Sequence, residues 1–112
     1  MKRLSERIRK FCGDRDWQQF HTPKNLAAAI SIEASELLEH FLWLTPEQSS
    51  NLDEKTKEMV ADEIGDVLIY LTNLSQQLGI DPVDAAHQKL EKAAKKYPIE
   101  KAKGKALKYN QL

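Results

Sequence analysis

Three times in this chain a residue that caps helices stands directly before a proline: Thr22-Pro23, Thr45-Pro46 and Asp81-Pro82. Each pair predicts a helix start. The capping oxygen accepts from free amides of the first turn, and proline tolerates the first helical position. Gln48 falls where the partner of a capping box belongs, and Asp53 offers a further start. Stop signals alternate with the starts: Gly79 takes left-handed backbone cheaply, and Pro98 keeps the residue before it out of helical angles. The punctuation predicts four helices, over about residues 4–17, 23–44, 54–78 and 82–97. Residues 18–22 read as a loop, 49–52 as a break or short turn, and the basic stretch 99–112 as an irregular tail. No segment alternates with a strand period. The expected class is all-α, an antiparallel four-helix bundle with an irregular C-terminal tail, and the expected organisation is one domain over 1–112.

Composition narrows the function. Basic and acidic side chains balance at 17 each, which argues against a general nucleic-acid binder but not against a small anionic substrate held by a local cluster. The lone cysteine, Cys12, fits a reducing compartment. No apolar run follows the basic N-terminal residues, and no stretch approaches the roughly 20 apolar residues that span a bilayer. The expectation is a soluble, cytoplasmic protein with no membrane partner.

The chemistry lies on the second and third helices. At roughly 100° per residue, Leu26, Ile30, Leu37, Phe41 and Leu44 form one apolar stripe, bordered by Glu33, Glu36 and His40. On the third helix Val60, Ile64, Val67, Leu71, Leu74 and Leu78 form the expected core stripe, bordered by Glu63, Asp66 and Tyr70. Residues three apart are neighbours on a helix surface, so each helix carries a carboxylate pair beside its apolar face. Antiparallel packing would bring Glu33, Glu36, Glu63 and Asp66 together. Four carboxylates converging near a core repel one another and are costly to desolvate unless a hard cation joins them, and oxygen donors suit magnesium or manganese. No Cys/His set has zinc spacing. Asp84-x-x-His87 is half of a di-iron pattern, but it stands alone and Asp84 is explained as a helix-start acid.

These residues resemble a known family. Glu33-x-x-Glu36 followed by Glu63-x-x-Asp66 is similar to the metal signature of the MazG-like all-α nucleotide pyrophosphohydrolases. The segment Arg15-Asp16-Trp17-x-x-Phe20-His21-x-Pro23-x-Asn25-Leu26 resembles the dCTP pyrophosphatase branch. So do Phe41-x-Trp43, the run from Asp66 to Leu71, Tyr97-Pro98 and Lys108-Tyr109. The resemblance implies that Glu33, Glu36, Glu63 and Asp66 hold magnesium. It implies that Trp17, His21, Trp43 and Tyr70 line the base and sugar pocket and that Asn25 is a further substrate-binding residue, with Lys89 and Lys96 as candidates for the phosphates. Ala93 stands where the family often has an asparagine, a departure that bears on the substrate more than on the reaction.

The expected activity is magnesium-dependent cleavage of a deoxynucleoside triphosphate, dCTP or a modified dCTP, to monophosphate and pyrophosphate, with Glu36 as the candidate base that deprotonates water. The resemblance implies a house-cleaning role in the nucleotide pool. The competing reading is a non-catalytic helical module that binds metal or nucleotide, or only assembles. Ile32, Leu38, Leu42 and Ile69 point away from the apolar stripes. Together with the resemblance they predict a homo-oligomer, a tetramer built from dimers.

Overall fold

The computed structural model describes residues 1–112 and is helical throughout, with no strand. Its helices are α1 (Lys2–Asp14), α2 (Pro23–Glu39), α3 (Pro46–Ser49), α4 (Glu54–Gln77), α5 (Pro82–Lys96) and α6 (Ile99–Ala102), with single 3-10 turns at Gln18–Phe20 and Tyr109–Gln111. The all-α class expected from the sequence is borne out. The chain divides into two compact units, Met1–Ile80 and Asp81–Leu112. Of the four long helices, three lie in the first unit and α5 opens the second.

Each start signal works as its chemistry predicts. Thr22 Oγ1 accepts from the Asn25 amide at 3.2 Å. Thr45 and Gln48 exchange the two bonds of a capping box at 2.9 and 3.1 Å, on a helix of a single turn. Asp53 Oδ1 accepts from Thr56 at 2.7 Å and Asp81 Oδ1 from Val83 at 2.9 Å. Gly79 takes φ 67° just past α4. Two ends differ from expectation. The helix predicted to reach Leu44 stops at Glu39, because Thr45 must be extended ahead of its proline and the chain leaves the helix through turns at 40–43. The helix predicted to reach Trp17 stops at Asp14, because Asp16 adopts φ 54°. The Trp17 amide then donates to the Cys12 carbonyl and the Asp16 amide to Gly13, the paired bonds of a Schellman stop with aspartate where glycine is usual.

In the first unit α4 packs along α2 and also meets α1. The α2–α4 pair is antiparallel. His21, just before α2, lies beside Asn73 and Gln77 near the end of α4, whereas His40, just after α2, lines one cavity with Thr56 in the first turn of α4. Leu26 (1% exposed), Val60, Ile8 and Cys12 are buried where these helices meet.

The buried arc of α4 is not the predicted one. Val60 is buried, but Ile64 and Leu78 are each 53% exposed and Leu71 is 40% exposed. The inner face is rotated toward the polar border: Glu63, Val67, Tyr70 and Leu74 are half-buried and Asn73 is buried. The reason is α1, whose backbone accepts from Gln76 (Ser5 carbonyl, 2.6 Å) and whose Cys12 receives Asn73. Leu44, expected on the second helix, lies beyond the end of α2 and likewise falls outside the core.

In the second unit the segment after α5 folds back on the helix end. Tyr97 and Tyr109 meet edge to face at 6.3 Å, and Lys96 Nζ lies 4.7 Å from the Tyr109 ring centre. No helix is long and apolar enough to cross a membrane.

Asp16 supplies a direct test of the α1 stop. Left-handed backbone costs an L-residue roughly 1–2 kcal/mol, less for aspartate, whose short side chain bonds locally. Asp16→Ala is therefore expected to lower unfolding stability by about 1 kcal/mol, and Asp16→Gly to hold or raise it. Urea denaturation of the three proteins checks this ordering.

Candidate functional site

The carboxylates come from facing helices. Glu33 and Glu36 sit one turn apart on α2, and Glu63 and Asp66 one turn apart on α4. One oxygen from each of Glu33, Glu36 and Glu63 lies within 4.8 Å of the other two. Asp66 is outside this triad, but its charge acts on Glu33. Glu33 Oε2 and Glu63 Oε2 are buried with no hydrogen-bond partner.

Carboxylate oxygens buried without a donor are costly, and like charges beside them add to the cost. The effect falls on Glu33, whose carboxyl is pushed up to about 7. Burial is the main cause, followed by the Glu63 and Glu36 side chains, which can accept from the protonated carboxyl, and by the charges of Glu36 and Asp66. Oxygen-only donors, surplus negative charge and two orphaned oxygens are what a hard divalent cation requires, so the residues present fit such an ion. The lone cysteine and His21 are engaged elsewhere and form no zinc set with these acids.

An aromatic series adjoins the acids. Phe11 meets Trp17 at 5.6 Å between ring centres, Trp17 meets His21 at 6.3 Å, and His21 meets Tyr70 at 6.5 Å, all edge to face. The Arg15 guanidinium covers Phe11 at 3.7 Å. Tyr70 ties the two regions together. Burial pushes its phenol up, and the charges of Glu33 and Asp66 push it further.

Of the residues expected at a base and sugar pocket, the structure brings together Trp17, His21 and Tyr70. Asn25 spends its amide on the preceding loop, donating to the Phe20 carbonyl at 3.0 Å. Trp43 is 88% exposed in the turn after α2, at the opposite end of that helix from His21. The 17 residues of α2 span roughly 25 Å at 1.5 Å per residue, so one protomer does not bring Trp43 to the other aromatics. Lys89 and Lys96 lie on α5 in the second unit, and Lys96 is engaged with Tyr109. Sequence reasoning missed Asn73 and Gln77, which hold His21. They continue the spacing of Glu63, Asp66 and Tyr70 along α4, and extending that stripe by two more turns would have found them.

Three carboxylates from two antiparallel helices, two of them with a buried oxygen that has no donor, lie beside an aromatic series and mark an all-α chain whose acids suit a divalent cation. The chain belongs to the MazG-like family, whose model matches residues 28–112. It is 36% identical over 105 residues to dCTP pyrophosphatase 1 of Rattus norvegicus, covering 92% of this chain and 62% of that protein, and 35% identical to the Homo sapiens protein of the same name over the same shares. The chain thus spans less than two thirds of these relatives' length. A crystal structure of a pyrophosphatase from Archaeoglobus fulgidus DSM 4304 superposes with a TM-score of 0.83 at 44% identity, covering 88% of this chain and 92% of that one.

The crowding at Glu33 predicts a pH signature in metal-free protein. Its folded value of about 7 lies above the 4.5 of a free side chain, so between those values the folded state binds the proton more tightly than the unfolded chain does. The stabilisation is fully present below about pH 4.5 and is lost as pH rises through 7. With chelator present, the wild-type melting temperature is expected to fall across this window relative to Glu33→Gln. Melting curves that keep a constant separation would assign the titration elsewhere.

Proposed function

We propose that this chain hydrolyses a deoxynucleoside triphosphate, dCTP or a modified dCTP, to the monophosphate and pyrophosphate with magnesium, manganese being able to substitute. The observation that carries the reading is the triad of Glu33, Glu36 and Glu63 with its two buried, unpartnered oxygens. Its support is membership of the MazG-like family and likeness to proteins named dCTP pyrophosphatase and pyrophosphatase.

Glu33, Glu36, Glu63 and Asp66 would hold the ion, which supplies neutralisation of phosphate charge and Lewis acidity toward water. Glu36 is the proposed general base. Its carboxylate would take one proton from the attacking water as the water oxygen bonds to the α-phosphorus and the bond from that phosphorus to the bridging oxygen breaks, and pyrophosphate leaves. Trp17, His21 and Tyr70 receive the base and sugar, with Asn25 holding the loop that carries His21. Lys89 and Lys96 are the proposed phosphate contacts. Ala93 offers no hydrogen bond, so recognition at that position falls to other side chains.

The family match crosses the boundary at Ile80–Asp81, which favours one functional domain built from both compact units. The exposed apolar residues Ile32, Leu38, Ile64, Leu68, Ile69 and Leu78 on α2 and α4 favour assembly, as a tetramer built from dimers. Trp43 then belongs to the site of a neighbouring protomer. A buried lone thiol and clearance of unwanted nucleotides both fit the cytoplasm.

A panel of deoxynucleoside triphosphates, assayed for pyrophosphate with and without magnesium, tests the reaction. Pyrophosphate is expected only with the ion, with dCTP or a modified dCTP among the best substrates, and orthophosphate release would overturn the reaction assignment. Glu36→Ala and Glu63→Ala are expected to lose activity by about a hundredfold or more, the scale of losing a group that stabilises transition-state charge. Without metal both should melt at or above wild type, since each removes a repelling charge. Magnesium should raise the wild-type melting temperature and leave theirs little changed. Light scattering should return a tetramer, and a monomer at micromolar concentration would refute the assembly.

A further inference from the structure

We infer that Gln77 and Asn73 form an amide relay that fixes the neutral imidazole of His21 with its proton on Nε2, so that His21 offers a donor and selects a base with an acceptor edge. The link to the base rests on the function proposed above; the tautomer does not.

The direction of the relay is set at a group that has no choice. The backbone carbonyl of His21 is an acceptor only, and the Gln77 side chain donates to it. The nitrogen end of Gln77 therefore faces that carbonyl. The same nitrogen has a second hydrogen, and it lies 3.4 Å from Asn73 Oδ1. The oxygen of Asn73 is thereby turned toward Gln77, and its nitrogen is left 3.3 Å from His21 Nδ1. An amide nitrogen has only hydrogens to offer, so Nδ1 must accept, and the single proton of a neutral imidazole then resides on Nε2. Turning Asn73 over would set nitrogen against nitrogen at Gln77. Turning Gln77 over would set oxygen against the His21 carbonyl.

The remaining neighbours agree. Asn73 is only 8% exposed, so water does not compete for its amide. Its nitrogen also lies 3.9 Å from Cys12 Sγ, which is itself 3.7 Å from Nδ1. Burial pushes the Cys12 thiol up, outweighing the opposing charge of Arg15, so the sulfur keeps its hydrogen and places no anion beside Nδ1. The ring meets Trp17 and Tyr70 edge to face, and the relay engages Nδ1 and not Nε2. A pyrimidine whose carbonyl oxygen or unprotonated ring nitrogen meets that donor is accepted. A base that offers a hydrogen there sets donor against donor. Asn73 is thus a positioning residue, acting through His21.

Long-range proton–nitrogen NMR of the histidine rings, in full-length protein at about pH 8 where an ordinary imidazole is neutral, reads the tautomer directly. Wild type is expected to show His21 protonated at Nε2 and bare at Nδ1. Asn73→Asp puts an acceptor in place of the donor and is expected to move the proton to Nδ1, and Asn73→Ala to give a mixture. In pyrophosphate-release kinetics both variants are expected to raise KM about tenfold, the scale of one hydrogen bond, with kcat little changed because the carboxylates are untouched. A wild-type His21 protonated at Nδ1 overturns the relay, even if no variant folds. The expected tautomer with an unchanged KM in both variants overturns the base-reading role. A wild type that releases no pyrophosphate refutes the proposed function instead, whichever nitrogen bears the proton.

Discussion

The repulsion among carboxylates on α2 and α4 is the constraint to which the rest of the first unit answers. Those two helices form its main packing contact, and Glu33 and Glu63 each turn one oxygen into the buried region there. In a metal-free chain, apolar packing and helix caps must offset this penalty. Leu26 and Val60 supply buried hydrophobic contact, while Thr22 and Asp53 satisfy the free amides at the two helix starts. Helix ends pinned by side chains next to a strained centre make an arrangement in which the site can be unfavourable and the fold still stand.

The inside of α4 is accordingly partly polar, and its outside is partly apolar. Reading the helix from one end to the other, Glu63, Tyr70 and Asn73 turn inward while Ile64, Leu68, Leu71 and Leu78 remain open. Water would not favour this distribution in an isolated chain. Sequence periodicity correctly found a helix here but assigned its inner face by hydrophobicity alone. The orientation is decided by α1, which brings hydrogen-bonding groups to the polar side of α4 and draws that side in.

What was legible in the sequence was local. Caps, the capping box at Thr45 and Gln48, and the glycine stop after α4 each depend on a few adjacent residues, and all took the predicted form. The acidic pairs were legible because a three-residue spacing on a helix is geometric, and antiparallel packing brings Glu33, Glu36 and Glu63 to one place with Asp66 outside the triad. The left-handed Asp16 was hidden because aspartate is not the residue that usually signals such a stop. The contacts of His21 with Asn73 and Cys12 were hidden because they join residues 52 and 9 positions away through tertiary packing. The exposure of Trp43 was hidden because its setting is fixed by the end of α2, where the chain leaves the helix ahead of Thr45 and its proline.

The polar stripe of α4 runs on one unbroken helix from Glu63 to Gln77, and it serves the acids at one end and His21 at the other. Both ends are therefore phased by the same screw. Deleting or adding one residue between Asp66 and Tyr70 would turn everything beyond it by roughly 100° and shift it by about 1.5 Å. Tyr70, Asn73 and Gln77 would then face away from His21 while Glu63 stayed in place. Along this segment, changes of side chain are local in their effects, whereas a change of length by a single residue divorces one half of the site from the other.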